Sequence, residues 1–215
     1  MEAVTFETDD GVRLEGERRS PDGTPRGSAV LCHPHPRHGG SKDHPILWAL
    51  RNELARRGLD VLVFNFRGVM DSGGVYGGGL NELHDVRAAI GFVRQRVPDM
   101  PTVVCGWSFG ASVALREALD DDRVSGLALI GTPIRPNDLT LPPLPGPAEL
   151  RAFRRPVFLL SGEHDEYCPP DGVRTFATGL PASQVHIMEG TDHYLGRRER
   201  EAAVLVGDFV DEVLA

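Results

Sequence analysis

Cysteine is scarce in this chain. The three that occur, Cys32, Cys105 and Cys168, are odd in number and far apart in sequence, which excludes a disulfide framework and fits reduced thiols. Cys32 and Cys105 lie inside apolar runs and read as small core residues. No apolar run approaches the roughly 18 residues that a bilayer span requires. The opening MEAVTFETDD is acidic and lacks the basic, apolar and small-residue zones of a secretory signal. The expectation is therefore a cytoplasmic protein with no membrane partner. Basic charge is also in deficit: 23 Lys and Arg stand against 31 Asp and Glu, giving a formal net charge of -8. Arginine pairs such as Arg18 with Arg19 and Arg56 with Arg57 are scattered, not gathered into a stripe, so nucleic acid is excluded as a partner.

At 215 residues the chain is long enough for one sizeable core and short for two, so a single domain over residues 1–215 is expected. Val4, Phe6, Val12 and Leu14 flank the turn dipeptide Asp10-Gly11, which predicts an antiparallel hairpin at the N-terminus. After the loop SPDGTPRG, short apolar runs take turns with amphipathic stretches. SAVLC precedes ILWALRNELARRG, LDVLVFNF precedes NELHDVRAAIGFVRQRV, and TVVCGW precedes ASVALREAL. The rhythm continues through VSGLALIG, RPVFLLSG, VRTFATGL, SQVHIM and a final EREAAVLVGDFVDEVL. Strand and helix in alternation predict parallel strands joined by helical crossovers, an α/β class with a doubly wound sheet. The rhythm breaks only at about 132–155, a proline-rich insertion expected to form little regular structure beyond a short helix near Ala148 to Phe153. It reads either as a small lid or as a long loop.

Five residues carry the chemical signal: Gly106-Trp107-Ser108-Phe109-Gly110, the pattern G-x-S-x-G between a strand-like run and a helical one. A serine held at a sharp turn needs neighbours without side chains, and the turn projects its Oγ above the strand ends. Ser108 is thus the candidate nucleophile. A serine hydroxyl is scarcely nucleophilic at neutral pH, so a base must take its proton and a third group must orient that base. Such sites supply them in the order serine, acid, histidine. Asp165, just after VFLLSG, is the best-placed acid, with Glu163, Glu166 and Asp171 as rivals. His193, on the loop between SQVHIM and the last helix, is the candidate base. His186 lies within the strand-like run, and His164 adjoins the acid. The oxyanion that forms on carbonyl attack needs N–H donors. One is the backbone of Phe109; the other should come from the loop opened by His33-Pro34-His35-Pro36, where prolines leave only His33 and His35 as donors.

Together the segments LCHPHPRHGG, FNFRGVMDSGG, GWSFG, SGEHDEYCPP and EGTDHYL resemble the small, lidless α/β-hydrolases related to dienelactone hydrolase, and they spread across nearly the whole chain. The resemblance implies a serine hydrolase acting on a carboxylic ester or related acyl compound, with His35 supplying the second oxyanion N–H. One departure stands out. Such relatives commonly run Arg-Gly-x-Gly-x-Ser, whereas Met70 occupies the second glycine position here. Arg67 in the same loop reads as a structural tie.

On this reading the substrate is a small acyl compound, and neither metal nor organic cofactor is required. The histidines His33, His35, His38 and His44 invite a metal-site reading, but their spacing fits neither a helix face nor a familiar zinc motif. A ligand-binding protein that has lost catalysis would not need all three of serine, acid and histidine. Thioester hydrolysis, acyl transfer, peptide cleavage and perhydrolysis use the same residues, and the fold does not choose among them. The short insertion favours short-chain substrates over long lipids.

Overall fold

A computed structural model of the chain describes residues 1–135 and 139–215; positions 136–138, inside the proline-rich insertion, lie outside the described residues. The N-terminal hairpin forms as predicted. Strand β1 (Glu2–Glu7) pairs antiparallel with β2 (Arg13–Arg19), with Phe6 opposite Leu14. There follow β3 (Gly27–Cys32), α1 (Pro45–Arg56), β4 (Leu59–Phe64), α2 (Glu82–Arg94), β5 (Thr102–Trp107) and α3 (Phe109–Asp120). The chain continues through β6 (Gly126–Ile130), α4 (Pro147–Ala152), β7 (Val157–Gly162), α5 (Pro170–Ala177), β8 (Ser183–Met188) and α6 (Glu199–Val213). Within the insertion, α4 is the short helix that the sequence suggests near Ala148.

All eight strands join one sheet in the order β1-β2-β4-β3-β5-β6-β7-β8. Strand β2 runs against both of its neighbours, and every pairing from β4 to β8 is parallel. The central strands are apolar on both faces because helices cover both. Ala29, Leu31, Val61, Val63, Cys105 and Ile130 point toward α1 and α6. Their chain neighbours Val30, Leu62, Phe64, Val104 and Leu129 point toward α2 and α3. The longer helices bury a stripe at helical spacing, such as Ile46, Leu50 and Leu54 on α1 and Val86, Ile90 and Val93 on α2. Cys32, Cys105 and Cys168 are all buried and unpaired. Among the described residues no helix is long and apolar enough to cross a membrane.

Parallel pairing sends the carboxyl ends of β3, β5, β7 and β8 to one rim, and the loops leaving that rim hold the candidate residues. Polar side chains brace the loops. Arg67 donates through its backbone N–H and Nε to Asp85 at 2.9 Å each, and its terminal nitrogens reach Asp10 at 2.8 and 3.0 Å. Arg67 therefore ties the β1–β2 turn to α2, the structural role read from sequence. Met70 sits at φ 51, in the left-handed region. The turn keeps the backbone conformation a glycine would adopt, with the methionine side chain turned out to solvent at 74% exposure.

Removing the arginine leaves a fully buried Asp85 carboxylate without its main partner. Arg67→Ala should therefore lower the unfolding free energy by about 3–5 kcal/mol, measured by urea denaturation at pH 7. A loss under about 1 kcal/mol would show that the bridge is dispensable.

Candidate active site

Ser108 occupies the junction between β5 and α3 with φ 54 and ψ -116, a backbone geometry that L residues seldom adopt. Crowding explains the flanking glycines. A Cβ at Gly106 would stand 2.4 Å from the carbonyl oxygen of Gly110, and one at Gly110 would stand 2.3 Å from that of Cys32. The first turn of α3 is thus pressed against the end of β3, and only bare backbone fits. Ser108 is further held by its N–H, which donates to the Ile130 carbonyl at 2.8 Å.

The three residues chosen from sequence meet. The Ser108 Oγ lies 3.0 Å from His193 Nε2, and His193 Nδ1 lies 2.9 Å from Asp165 Oδ2. All three are buried. Asp165 Oδ1 accepts the backbone N–H groups of Tyr167 and Cys168, each at 2.9 Å, so the acid is anchored at one oxygen while the other faces the imidazole. With a carboxylate against Nδ1, the proton resides there and Nε2 is left to accept from serine. The rivals are elsewhere. Glu163 is exposed and accepts the Gly190 N–H at 2.8 Å, Glu166 and Asp171 are exposed, His164 faces solvent, and His186 is a half-buried side chain of β8.

Two supports escape a motif reading. Gly131, at the end of β6, has φ +55, and a Cβ there would lie 3.1 Å from the His193 ring and 3.2 Å from Asp165 Oδ2. The acid and the base occupy the space that a side chain would fill. Trp107 is the second: its indole N–H donates to the His193 carbonyl at 3.2 Å, tying the histidine loop to the strand that leads into Ser108. The loops after β7 and β8 are also laced together, by Glu163 N–H to Met188 O at 3.0 Å and His164 N–H to Thr191 O at 2.8 Å.

The His-Pro-His-Pro segment turns sharply after β3 into a short 3-10 turn, Pro36–His38, which the sequence reading leaves as plain loop. Gly40 lets it fold back, since a Cβ there would come within 2.1 Å of the Pro34 carbonyl. His33 and His35 divide the work. His33 is fully buried; its Nε2 accepts the Phe66 N–H at 3.0 Å, which leaves Nδ1–H to donate to the Pro34 carbonyl at 2.6 Å. Burial holds its pKa down at about 4, so it stays neutral and bridges the loops after β3 and β4. His35 packs its ring on that of Phe109, centroids 5.1 Å apart, which brings together the two residues proposed as oxyanion donors. Neither backbone N–H meets an acceptor among the described residues. His35 Nδ1 accepts from Arg37 N–H at 3.2 Å, and its Nε2 lies 3.1 Å from the Tyr76 hydroxyl, which donates to the Thr140 carbonyl. His44 caps α1 by accepting the Ile46 N–H at 3.4 Å. Three of the four clustered histidines thus spend ring nitrogens on local hydrogen bonds. The one trio of ligating groups found among the described residues, Asp9, Asp10 and His84, is a mostly exposed set that includes none of these four histidines.

Beside Ser108 opens a cleft of about 150 Å³, walled by residues that include Trp107, Tyr167, Tyr194 and Leu139. Leu139 and Thr140 belong to the insertion, and Pro142 lies against Gly79, so the part that follows position 138 rests on the β4–α2 loop.

Residues 27–209 match the family model described as alpha/beta hydrolase domain. The chain belongs to the α/β-hydrolase family. A solved structure from Coxiella burnetii, described as an alpha-beta serine hydrolase homologue, is 26% identical, with a TM-score of 0.84 and 96% of each chain covered. A Xanthomonas campestris protein described as a serine hydrolase without lid is 26% identical, with a TM-score of 0.82, covering 98% of this chain and 94% of that one. An uncharacterized protein of Rickettsia prowazekii is 27% identical over 98% of this chain and 89% of its own length. This α/β-hydrolase accordingly shares its fold with proteins described as serine hydrolases.

Two outcomes follow. Gly131→Ala forces a methyl group into the acid and histidine pair and a left-handed backbone on alanine; reactivity of Ser108 toward a fluorophosphonate should fall at least tenfold, and stability should drop by about 1–2 kcal/mol. His33 is neutral in the native state down to about pH 4, whereas an unfolded histidine takes up its proton near pH 6.5. Native protein then binds fewer protons in that window, so stability falls as pH drops from about 6.5 to 4, with roughly 3 kcal/mol from this residue. Urea unfolding at pH 7 and pH 4.5 should show a smaller pH difference in His33→Gln than in the parent.

Proposed function

We propose that this α/β-hydrolase is a serine hydrolase that cleaves a small carboxylic ester, or a closely related acyl compound, through an acyl-enzyme. The single observation that carries the reading is the unbroken buried chain from Ser108 Oγ through the His193 ring to Asp165. His193 Nε2 takes the hydroxyl proton as Oγ bonds to the acyl carbon, and the carbonyl electron pair moves onto oxygen. The N–H groups of Phe109 and His35 stabilise that oxyanion. Collapse breaks the bond to the alcohol, which leaves with the proton held by His193. Water then gives a proton to the same imidazole, attacks the acyl carbon and releases the acid, restoring Ser108. Every group required is a side chain or backbone amide, so the reaction proceeds without metal or organic cofactor.

The cleft's volume of about 150 Å³ supports a short or compact acyl substrate over a long lipid chain. Kinship with dienelactone hydrolase, a single domain over 1–215 and a small-molecule partner in place of nucleic acid or membrane belong to the same reading. So does a cytoplasmic setting, supported by three buried, unpaired thiols.

A fluorophosphonate probe followed by peptide mapping should label Ser108, and a panel of esters, thioesters, lactones and amides should rank short esters first. Ser108→Ala should keep its fold and lose turnover by roughly 10³ to 10⁶. Activity retained in that variant on a simple ester would sink the assignment.

A further inference from the structure

The cleft is unusual in what it omits. One residue in four of this chain is Asp, Glu, Lys or Arg, yet none of these types lines the cleft among the described residues. Its wall is mostly rings: Trp107, Tyr167, Tyr194, His35, His38 and His44, in addition to His193. These rings are already set against one another. Trp107 meets His44 at 4.2 Å and Tyr194 at 6.1 Å between centroids, the latter edge to face, and Tyr167 meets His193 at 4.9 Å. Burial lowers the pKa of His35 and of His44, which keeps both imidazoles uncharged near neutral pH.

Two cations of the same rim are committed elsewhere. Arg67 is held by Asp10 and Asp85, and Lys42 by Glu17 and Asp43. Arg37 is exposed on the 3-10 turn and does not line the cleft. Among the described lining residues a carboxylate entering here would lose water and meet no Lys or Arg, a costly exchange. A fixed cation fares no better during turnover, because His193 itself becomes positive as it accepts the serine proton. The cleft's volume of about 150 Å³ is enough for one benzene-sized ring. Ring walls favour a planar guest, since offset and edge contacts add about 0.5–1.5 kcal/mol beyond burial.

We infer that the cleft beside Ser108 receives a single uncharged aromatic ring, so that the ester this site hydrolyses carries a neutral aryl group next to its carbonyl. This rests on the serine-hydrolase reading above and names its substrate class.

The test uses the intact protein and four small probes of matched size: benzamide, benzoate, benzamidine and cyclohexanecarboxamide, with binding measured by ligand-observed NMR at pH 7.5. Benzamide should bind at least tenfold more tightly than benzoate or benzamidine and about fivefold more tightly than cyclohexanecarboxamide. Blocking Ser108 with a fluorophosphonate should abolish its binding, which locates the site. Tyr194→Leu should weaken benzamide at least threefold while leaving cyclohexanecarboxamide within twofold. Equal or tighter binding of either charged probe overturns the claim of neutrality. Equal binding of the saturated ring overturns the claim of planarity, as does a Tyr194→Leu variant that weakens both amides alike. If benzamide shows its preference but the fluorophosphonate leaves Ser108 unlabelled, the hydrolase reading fails and the ring cleft stands. Labelling of Ser108 without any ring preference overturns the aromatic cleft and leaves the hydrolase reading intact.

Discussion

The site depends on a backbone squeeze. Helix α3 starts so close to the end of β3 that Gly110 lies against the Cys32 carbonyl, and β5 reaches α3 with a single residue, Ser108, to make the turn. Holding a serine at φ 54 costs roughly 1–3 kcal/mol, and the surrounding sheet and helices sustain it. From that constraint the rest follows. The hydroxyl has to project over the rim, the Phe109 N–H at the head of α3 has no helical carbonyl to bond, and the His-Pro-His-Pro loop is drawn alongside because it continues from the strand being pressed.

Around the serine, the arrangement fixes charge by pairing and by exclusion. Asp165 has one oxygen occupied by two backbone N–H groups, which leaves it a single productive direction. Histidines near the site are kept apart in role: His33 is a buried neutral bridge, His44 a helix cap, His35 a ring packed on Phe109. His193 alone stands between an acid and an alcohol. Among the described residues no Asp, Glu, Lys or Arg lines the cleft, which lets the imidazole and its carboxylate dominate the local field.

The alternation of apolar runs with amphipathic stretches made the parallel sheet legible in the sequence, because strands covered on both faces must be apolar throughout and cannot be confused with half-exposed ones. The G-x-S-x-G turn and the order of acid and histidine were legible for a similar reason: steric and proton-transfer demands leave few residue types to choose from. Gly131 was not. It ends a strand that contributes no reacting group, and its importance is the absence of a Cβ beside side chains that arrive from two later loops. Trp107 was equally hidden, since nothing in the motif shows where an indole N–H will point. The tetrapeptide alone left both His33 and His35 as loop donors and the family resemblance pointed to His35; what no motif shows is that the His33 ring turns inward to accept the Phe66 N–H. Met70 shows the converse, a departure from pattern that leaves the backbone unchanged.

Strand β8 forms one edge of the sheet, and most of its side chains are only half buried. The loop that follows it delivers the imidazole, whereas serine comes from β5 in the middle of the sheet. Edge strands open at lower free energy than central ones. Ser108 and His193, joined at 3.0 Å, are therefore anchored at two depths of the sheet, one on a strand clasped from both sides and the other beside its margin; on the proposed reading, loosening that margin would part the pair before the central strands open.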